Sequence, residues 1–216
     1  MTDVQDPDLR ERFASSILAG ELRLARAWGR PCLGYLLIVR PDAAASAAFA
    51  DLQDQVEAAE AGLLRQPGHA LHGTVGFLVP VHQQVAGDKD EIWRRNGARW
   101  VAAVETARKA GPALFRLRYR RLVATDSAII AVADAPSPIT GLRQQLAASL
   151  DLPWPLAKGP LVHVSLFRYC QRLRDPAGLL RTLAALDFTI ETEVSELLAI
   201  RETTFPCLEY EVLHRL

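Results

Sequence analysis

Among the five histidines of this 216-residue chain, two stand in the same setting. His72-Gly73-Thr74-Val75 and His163-Val164-Ser165-Leu166 both read histidine, any residue, hydroxyl, apolar. Imidazole titrates near neutral pH, so two of them can supply an acid and a base to one reaction. A hydroxyl two residues on can hydrogen-bond an anionic oxygen held between them. Each copy lies in an apolar run bounded by proline: Leu71 to Val79 before Pro80, and Leu161 to Phe167 after Pro160. Such runs read as strands. A strand sends residues i and i+2 to one face, so each motif sets a ring beside a hydroxyl and turns Val75 or Leu166 toward a core. A single histidine of this kind is usually a packed strand residue bonded to backbone. Two in matching settings, one per half of the chain, point to strands that share a cleft.

The pair resembles the signature of the 2H phosphoesterase superfamily, which includes bacterial RNA 2′,3′-cyclic phosphodiesterases, also called 2′-5′ RNA ligases. The likeness runs from Pro31 to Leu216. It takes in the opening strand Gly34 to Val39, Arg168 five residues after the second histidine, and the closing stretches Val194 to Arg201 and Leu208 to Leu216. Gly73 departs from the pattern, which more often has an apolar residue there; glycine in a strand marks a close approach of backbone or ligand.

The resemblance implies a metal-independent phosphodiesterase that opens a 2′,3′-cyclic phosphate at an RNA end or in a small cyclic nucleotide, with the reverse, ligating reaction open to the same site. His72 and His163 would be the catalytic pair, one deprotonating water and the other protonating the departing ribose oxygen. Thr74 and Ser165 would bind the nonbridging oxygens, and Arg168 would neutralise phosphate charge. Strict alternation turns Arg168 away from His163 and Ser165, so it joins them only through a bulge or from the strand end. Tyr35, Phe167 and Trp154 are candidate platforms for a base. Core packing competes for all three, and alternation favours Phe167 because it puts that ring on the His163 face. No cofactor and no metal is expected. The rival readings are a noncatalytic RNA- or nucleotide-binding module with the same cleft, and a zinc site built from His72, His163 and a cysteine, which lacks any closely spaced ligand pair.

Composition narrows the partners. Basic and acidic residues balance at 25 each, so no global field holds a long polyanion and any nucleic-acid contact must be local. Arg116, Arg118, Arg120 and Arg121 form a basic stripe on one strand, read either as a solvated edge or as an RNA backbone contact. His69, His82 and His214 read as solvated. Cys32, Cys170 and Cys207 show no paired spacing. The acidic N-terminus lacks the sign of a signal peptide, and no apolar run approaches the roughly 20 residues that span a bilayer. A cytoplasmic protein with no membrane contact is expected.

Periodicity supplies the elements that must position the motifs. Asp6-Pro7 opens an N-terminal helix with Leu9, Phe13, Ile17, Leu24 and Trp28 on one face, ended by Gly29 to Pro31. It packs in cis on the preferred reading, giving a monomer, or mediates a dimer. Phe49 to Leu63 follows helical spacing and is closed by Gly68; Asp88 to Glu91 begins a helix running to about Ala110. Strands follow near Leu114 to Val123 and Ala128 to Val132, then helices from Ser137-Pro138 and Asp175-Pro176, and two closing strands. The fold class is α+β: a pseudo-twofold, bilobal arrangement of two antiparallel sheets with outer helices and a central cleft, plus the N-terminal helix. Residues 1–30 read as an extension and 31–216 as one domain of two intertwined lobes, each with one motif.

Overall fold

The computed structural model describes residues 8–111, 114–134, 137–157, 159 and 161–216. The expected helix start at Asp6-Pro7 and the breaker Pro160 lie outside the described residues. The first helix, α1, spans Asp8–Leu18 and stops well before Gly29. Gly20 takes a φ of 71°, the left-handed conformation that ends helices. Its N–H donates to Ile17 O at 3.1 Å and the Glu21 N–H to Ser16 O at 2.9 Å. Beyond it the chain runs as an irregular strap whose Arg23 N–H donates to Asp126 O at 2.7 Å and whose Ala25 N–H donates to Tyr169 O at 2.8 Å. Leu24 and Trp28 therefore belong to the strap and not to the helix. α1 packs on its own chain: Ile17 enters the main core, while Leu9 and Phe13 cover Val123, Ala128, Ile130 and Val132.

The remaining elements are β1 (Pro31–Val39), α2 (Ala43–Ala59), β2 (Leu63–Arg65), β3 (Gly73–Val79), α3 (Lys89–Ala110), β4 (Phe115–Ala124), β5 (Ala128–Ala133), α4 (Pro138–Ser149), β6 (His163–Tyr169), α5 (Pro176–Ala185), β7 (Ile190–Val194), β8 (Leu198–Thr204) and β9 (Glu209–Arg215). Asp42, Asp88, Ser137 and Asp175 cap α2 to α5, accepting from the N–H groups of Ala45, Glu91, Ile139 and Gly178; each such cap is worth about 1 kcal/mol. Two strands were not expected. β2 has three residues, too few to show alternation. β7 carries the alternating run Ile190 to Val194 and pairs with β4 rather than with the closing strands.

The architecture is α+β with a large antiparallel sheet. Hydrogen bonds join the two expected sheets into one path, β7-β4-β5-β6-β3-β1-β8-β9, with β2 also on β6. The correction is local, because β3 and β6 meet at one ladder position, Gly73 opposite Val164. The C-terminal strands β8 and β9 return to β1, so the chain crosses between the two wings. One face of the sheet holds the main core, where Phe49, Leu52 and Val56 of α2, Trp100 and Val104 of α3, Leu142 and Leu146 of α4, and Leu179 and Leu183 of α5 pack. The other face carries two smaller apolar clusters. Leu36, Ile38, Leu198 and Ile200 build one, and Val123, Ala128, Ile130 and Val132 the other. The motif residues lie between them.

Candidate active site

The single bridge sets the geometry of the motifs. With Gly73 opposite Val164, antiparallel register brings His72 opposite Ser165 and Thr74 opposite His163. Each histidine thus falls across the strand pair from the hydroxyl-bearing residue of the other motif. Gly73 faces the packed side, where an added Cβ would come within 3.1 Å of a Val39 methyl and 3.8 Å of His163 O. The departure from the motif pattern is a close approach of the two strands. At Gly76 a Cβ would collide with Leu156, from the loop that takes over the strand edge once β3 leaves β6: Phe77 N–H donates to Leu156 O at 2.7 Å.

β6 does not alternate. Ser165 pairs with Ile130 and Phe167 with Ile129, which leaves Leu166 as an extra residue between them. Opposed residues share a face, so His163, Ser165 and Arg168 go with Val132, Ile130 and Ala128, while Phe167 goes with Ile129 into the main core. The bulge swaps the two expectations: it brings Arg168 onto the motif face and buries Phe167 completely, leaving no ring surface for a base. Bulges disrupt the ladder, and this one is answered by Gln53 of α2 and by Gln66, which follows β2. Leu166 O accepts from the Gln66 N–H at 2.9 Å and from Nε2 of Gln53 at 2.9 Å. Gln53 is itself 1% exposed, and its Oε1 accepts from Arg65.

β3 repeats the device. Ile38 pairs with Thr74 and Leu37 with Gly76, so Val75 is the extra residue. Its carbonyl and that of Thr74 accept from Arg143 of α4, at 2.8 and 2.6 Å. The same guanidinium donates to Leu161 O and Gly159 O, at 3.1 and 3.2 Å, just before β6. One side chain ties both motif strands together. Neither Gln53 nor Arg143 was singled out by the sequence, where each looks like an ordinary polar residue on a helix; the remote carbonyls they serve leave no local trace.

The rings sit in a positive, partly dry setting. His72 and His163 are half-buried. Nδ1 of His72 lies 2.8 Å from Ala70 O; facing a carbonyl it must be the N–H, so Nε2 carries the lone pair in the neutral ring. Burial pushes the His72 pKa down, the Ala70 bond opposes this, and the charges of Arg168 and Arg40 add to the lowering. His163 falls to about 4, through burial first and then the charges of Arg168, His72 and Arg143. Both are neutral at pH 7. Nδ1 of His163 and Nε of Arg168 are buried without a hydrogen-bond partner among the described residues. The guanidinium N–H is a donor, and an unpaired donor amid unfavoured positive charge is what an anion would satisfy.

The other candidates fall elsewhere. Tyr35 is 3% exposed, stacks on Trp93 with centroids 4.6 Å apart, and donates its hydroxyl to Asp90, which also binds Arg201. Its ring belongs to the packed face and presents no platform. Trp154 is half-exposed and donates Nε1 to Phe77 O at 3.2 Å. The aromatic ring beside Arg168 is instead Phe205, 5.9 Å from the guanidinium carbon and half-buried; it follows β8, too far along the chain for sequence spacing to reveal. In the basic stripe, Arg118 pairs with Glu191 at 2.6 Å, Arg120 with Asp134 at 2.7 Å, and Arg116 with Glu193 at 3.9 Å. Paired this way, Arg116, Arg118 and Arg120 form a solvated face, and not an edge, because β4 lies inside the sheet between β7 and β5. His69, His82 and His214 are exposed. The three cysteines are free thiols, and among the described residues no group of three or more His, Cys, Asp or Glu is placed to hold a metal ion. No helix of the described residues is long and apolar enough to cross a membrane.

This arrangement of strands and helices has counterparts among solved structures. TT0787 of Thermus thermophilus superposes with a TM-score of 0.53 at 20% identity, covering 85% of this chain and 96% of its own. LigT of Escherichia coli in apo form gives 0.51 at 14% identity, with 86% and 97% covered, and LigT complexed with 3′-AMP gives 0.50 over the same shares. The chain shares their fold. ATU0111 of Agrobacterium tumefaciens, described as a conserved protein of unknown function, gives 0.53 at 14% identity with 98% of both chains covered. No family model matches the chain, and no curated protein matches it. The two short motifs thus occur in a chain with a LigT-like fold at 14–20% sequence identity to these structures.

Proposed function

We propose that the protein is a metal-independent phosphodiesterase that hydrolyses a 2′,3′-cyclic phosphate. One observation carries this reading: His72, Thr74, His163, Ser165 and Arg168 converge on one face where β3 and β6 meet, with buried nitrogens of His163 and Arg168 unpaired among the described residues. A cyclic phosphate fits that demand. One neutral imidazole takes a proton from water, the water oxygen bonds to phosphorus, the bond to one ribose oxygen breaks, and the second imidazole, protonated in the complex, gives that oxygen its proton. Thr74, Ser165 and Arg168 bind the nonbridging oxygens as charge grows on them. The groups involved are nitrogens and hydroxyls, so no step calls for a Lewis acid. With a ribose 5′-hydroxyl in place of water, the same step would join a second strand to the cyclic end: the base takes the hydroxyl proton, its oxygen bonds to phosphorus, and the acid protonates the departing ribose oxygen. That LigT, which has this fold, has been crystallised with 3′-AMP supports a nucleotide-sized anion as ligand.

The direct test is incubation of purified protein with 2′,3′-cyclic nucleotides and with RNA ending in a cyclic phosphate, reading the phosphomonoester by chromatography. Turnover abolished by His72→Ala supports the reading. Tight binding without turnover would establish a noncatalytic module instead.

A further inference from the structure

Arg168 is not the last positive group along its strand. Arg23 is carried by the strap of residues 20–30, whose Ala25 N–H donates to the O of Tyr169, next to Arg168, and whose Gly29 N–H donates to the O of Phe205, the residue whose ring lies 5.9 Å from the Arg168 guanidinium carbon. Beside Arg23 opens a hollow of about 410 Å³ lined by Gly20, Leu22, Arg23, Leu24, Arg26 and Arg172. Asp126 answers Arg23 at 2.8 Å. Arg26 and Arg172 are exposed, and their side chains make no hydrogen bond or ion pair among the described residues. The strap is held in place by its backbone bonds to Asp126 and Tyr169. In a chain of zero net charge, three like charges gathered with one counterion make a local anion-attracting patch. Arg172 follows Arg168 by four residues, a span of at most roughly 14 Å of extended chain. The hollow is therefore lined by the strap and by the chain just past the end of β6, the strand that carries His163 and Arg168.

We propose that Arg23, Arg26 and Arg172 form a second phosphate subsite, which takes the phosphodiester backbone of an RNA strand whose cyclic end lies at His72 and His163. This rests on the function proposed above and names its substrate class: an RNA end rather than a lone cyclic nucleotide. Arginine suits the task because its planar fork binds phosphate oxygens in pairs. The strap lies before Pro31, outside the stretch that carries the motif likeness.

The test compares kcat/KM for a trinucleotide ending in a 2′,3′-cyclic phosphate with that for the cyclic mononucleotide. The ratio should exceed one in the unaltered protein and fall about tenfold in Arg26→Ala/Arg172→Ala, and it should shrink with added salt, as backbone contacts do. Arg99→Ala, an exposed arginine of α3, should leave both rates unchanged. A ratio near one in the unaltered protein, or one untouched by the double substitution, overturns the proposal. If neither compound is hydrolysed, the phosphodiesterase reading fails, and calorimetry decides the subsite alone. A trinucleotide 3′-phosphate should then bind more tightly than a nucleoside 3′-phosphate, with the advantage lost in the double variant; equal affinity overturns the subsite.

Discussion

Arg168 and His163 share one face of β6, although five residues of unbroken alternation would set them on opposite faces. The extra residue at Leu166 makes the difference, and Gln53 satisfies the carbonyl it exposes. The guanidinium thereby lies beside the rings whose protons it influences.

Replacing His72 or His163 with Ala should lower turnover of a cyclic phosphate by about 10² to 10⁴-fold, the usual worth of a positioned acid or base, with an unchanged melting transition. The double variant should lose little more than either single one, since the two act as a unit. Thr74→Ala and Ser165→Ala should cost less, because water replaces one hydroxyl. Near-normal turnover in His163→Ala would remove that ring from the mechanism.

Gln53 should act through Arg168. Gln53→Ala is expected to reduce kcat/KM roughly tenfold by loosening the bulge, and to destabilise the fold by about 1–3 kcal/mol through lost buried hydrogen bonds. Added to Arg168→Ala, it should bring little further loss of activity. Additive effects in that cycle would show that Gln53 serves stability only.

Arg143 answers two carbonyls of β3 and two just before β6, and charge-assisted bonds of this kind contribute about 1.5–3 kcal/mol each. Arg143→Lys keeps the charge and loses the fork. Urea unfolding should show a loss of about 2–4 kcal/mol, and turnover should fall with it. A lysine variant of unaltered stability would mean that the charge alone suffices.

The rings set the pH dependence. His163 titrates at about 4 in the free protein, so a limb near that pH should appear in kcat/KM. Bound phosphate favours the charged ring, so the corresponding limb of kcat should lie at higher pH; superimposed profiles would contradict the assignment. Stability has its own sign. The unfolded chain takes up this proton near pH 6.5, before the folded one does, so His163 costs stability progressively as pH falls from 6.5 to about 4. His163→Gln should remove that part of the acid destabilisation, measured by denaturant unfolding across this range.

Exhaustive chelation should leave activity intact. Loss on chelation with recovery on adding Zn²⁺ or Mn²⁺ would reassign the chemistry to a metal centre.

Within three residues, a strand's alternation is dictated by the chain itself, which is why His72 with Thr74 and His163 with Ser165 could be placed side by side from the sequence. The helix starts were equally local, because Asp42, Asp88, Ser137 and Asp175 bond to N–H groups two or three residues ahead. What lay five residues off was decided elsewhere. Nothing in Val164-Ser165-Leu166-Phe167-Arg168 announces a bulge; it exists because Ile129 and Ile130 set a register that Leu166 interrupts, and because Gln53 and Gln66, distant in sequence, accept the consequence. One extra residue reverses every face after it. That parity change put Arg168 on the face of His163, put Phe167 in the core, and left Phe205, from the far end of the chain, as the ring beside the guanidinium. Alternation is a property of the strand alone, whereas its phase belongs to the strand and its neighbours together.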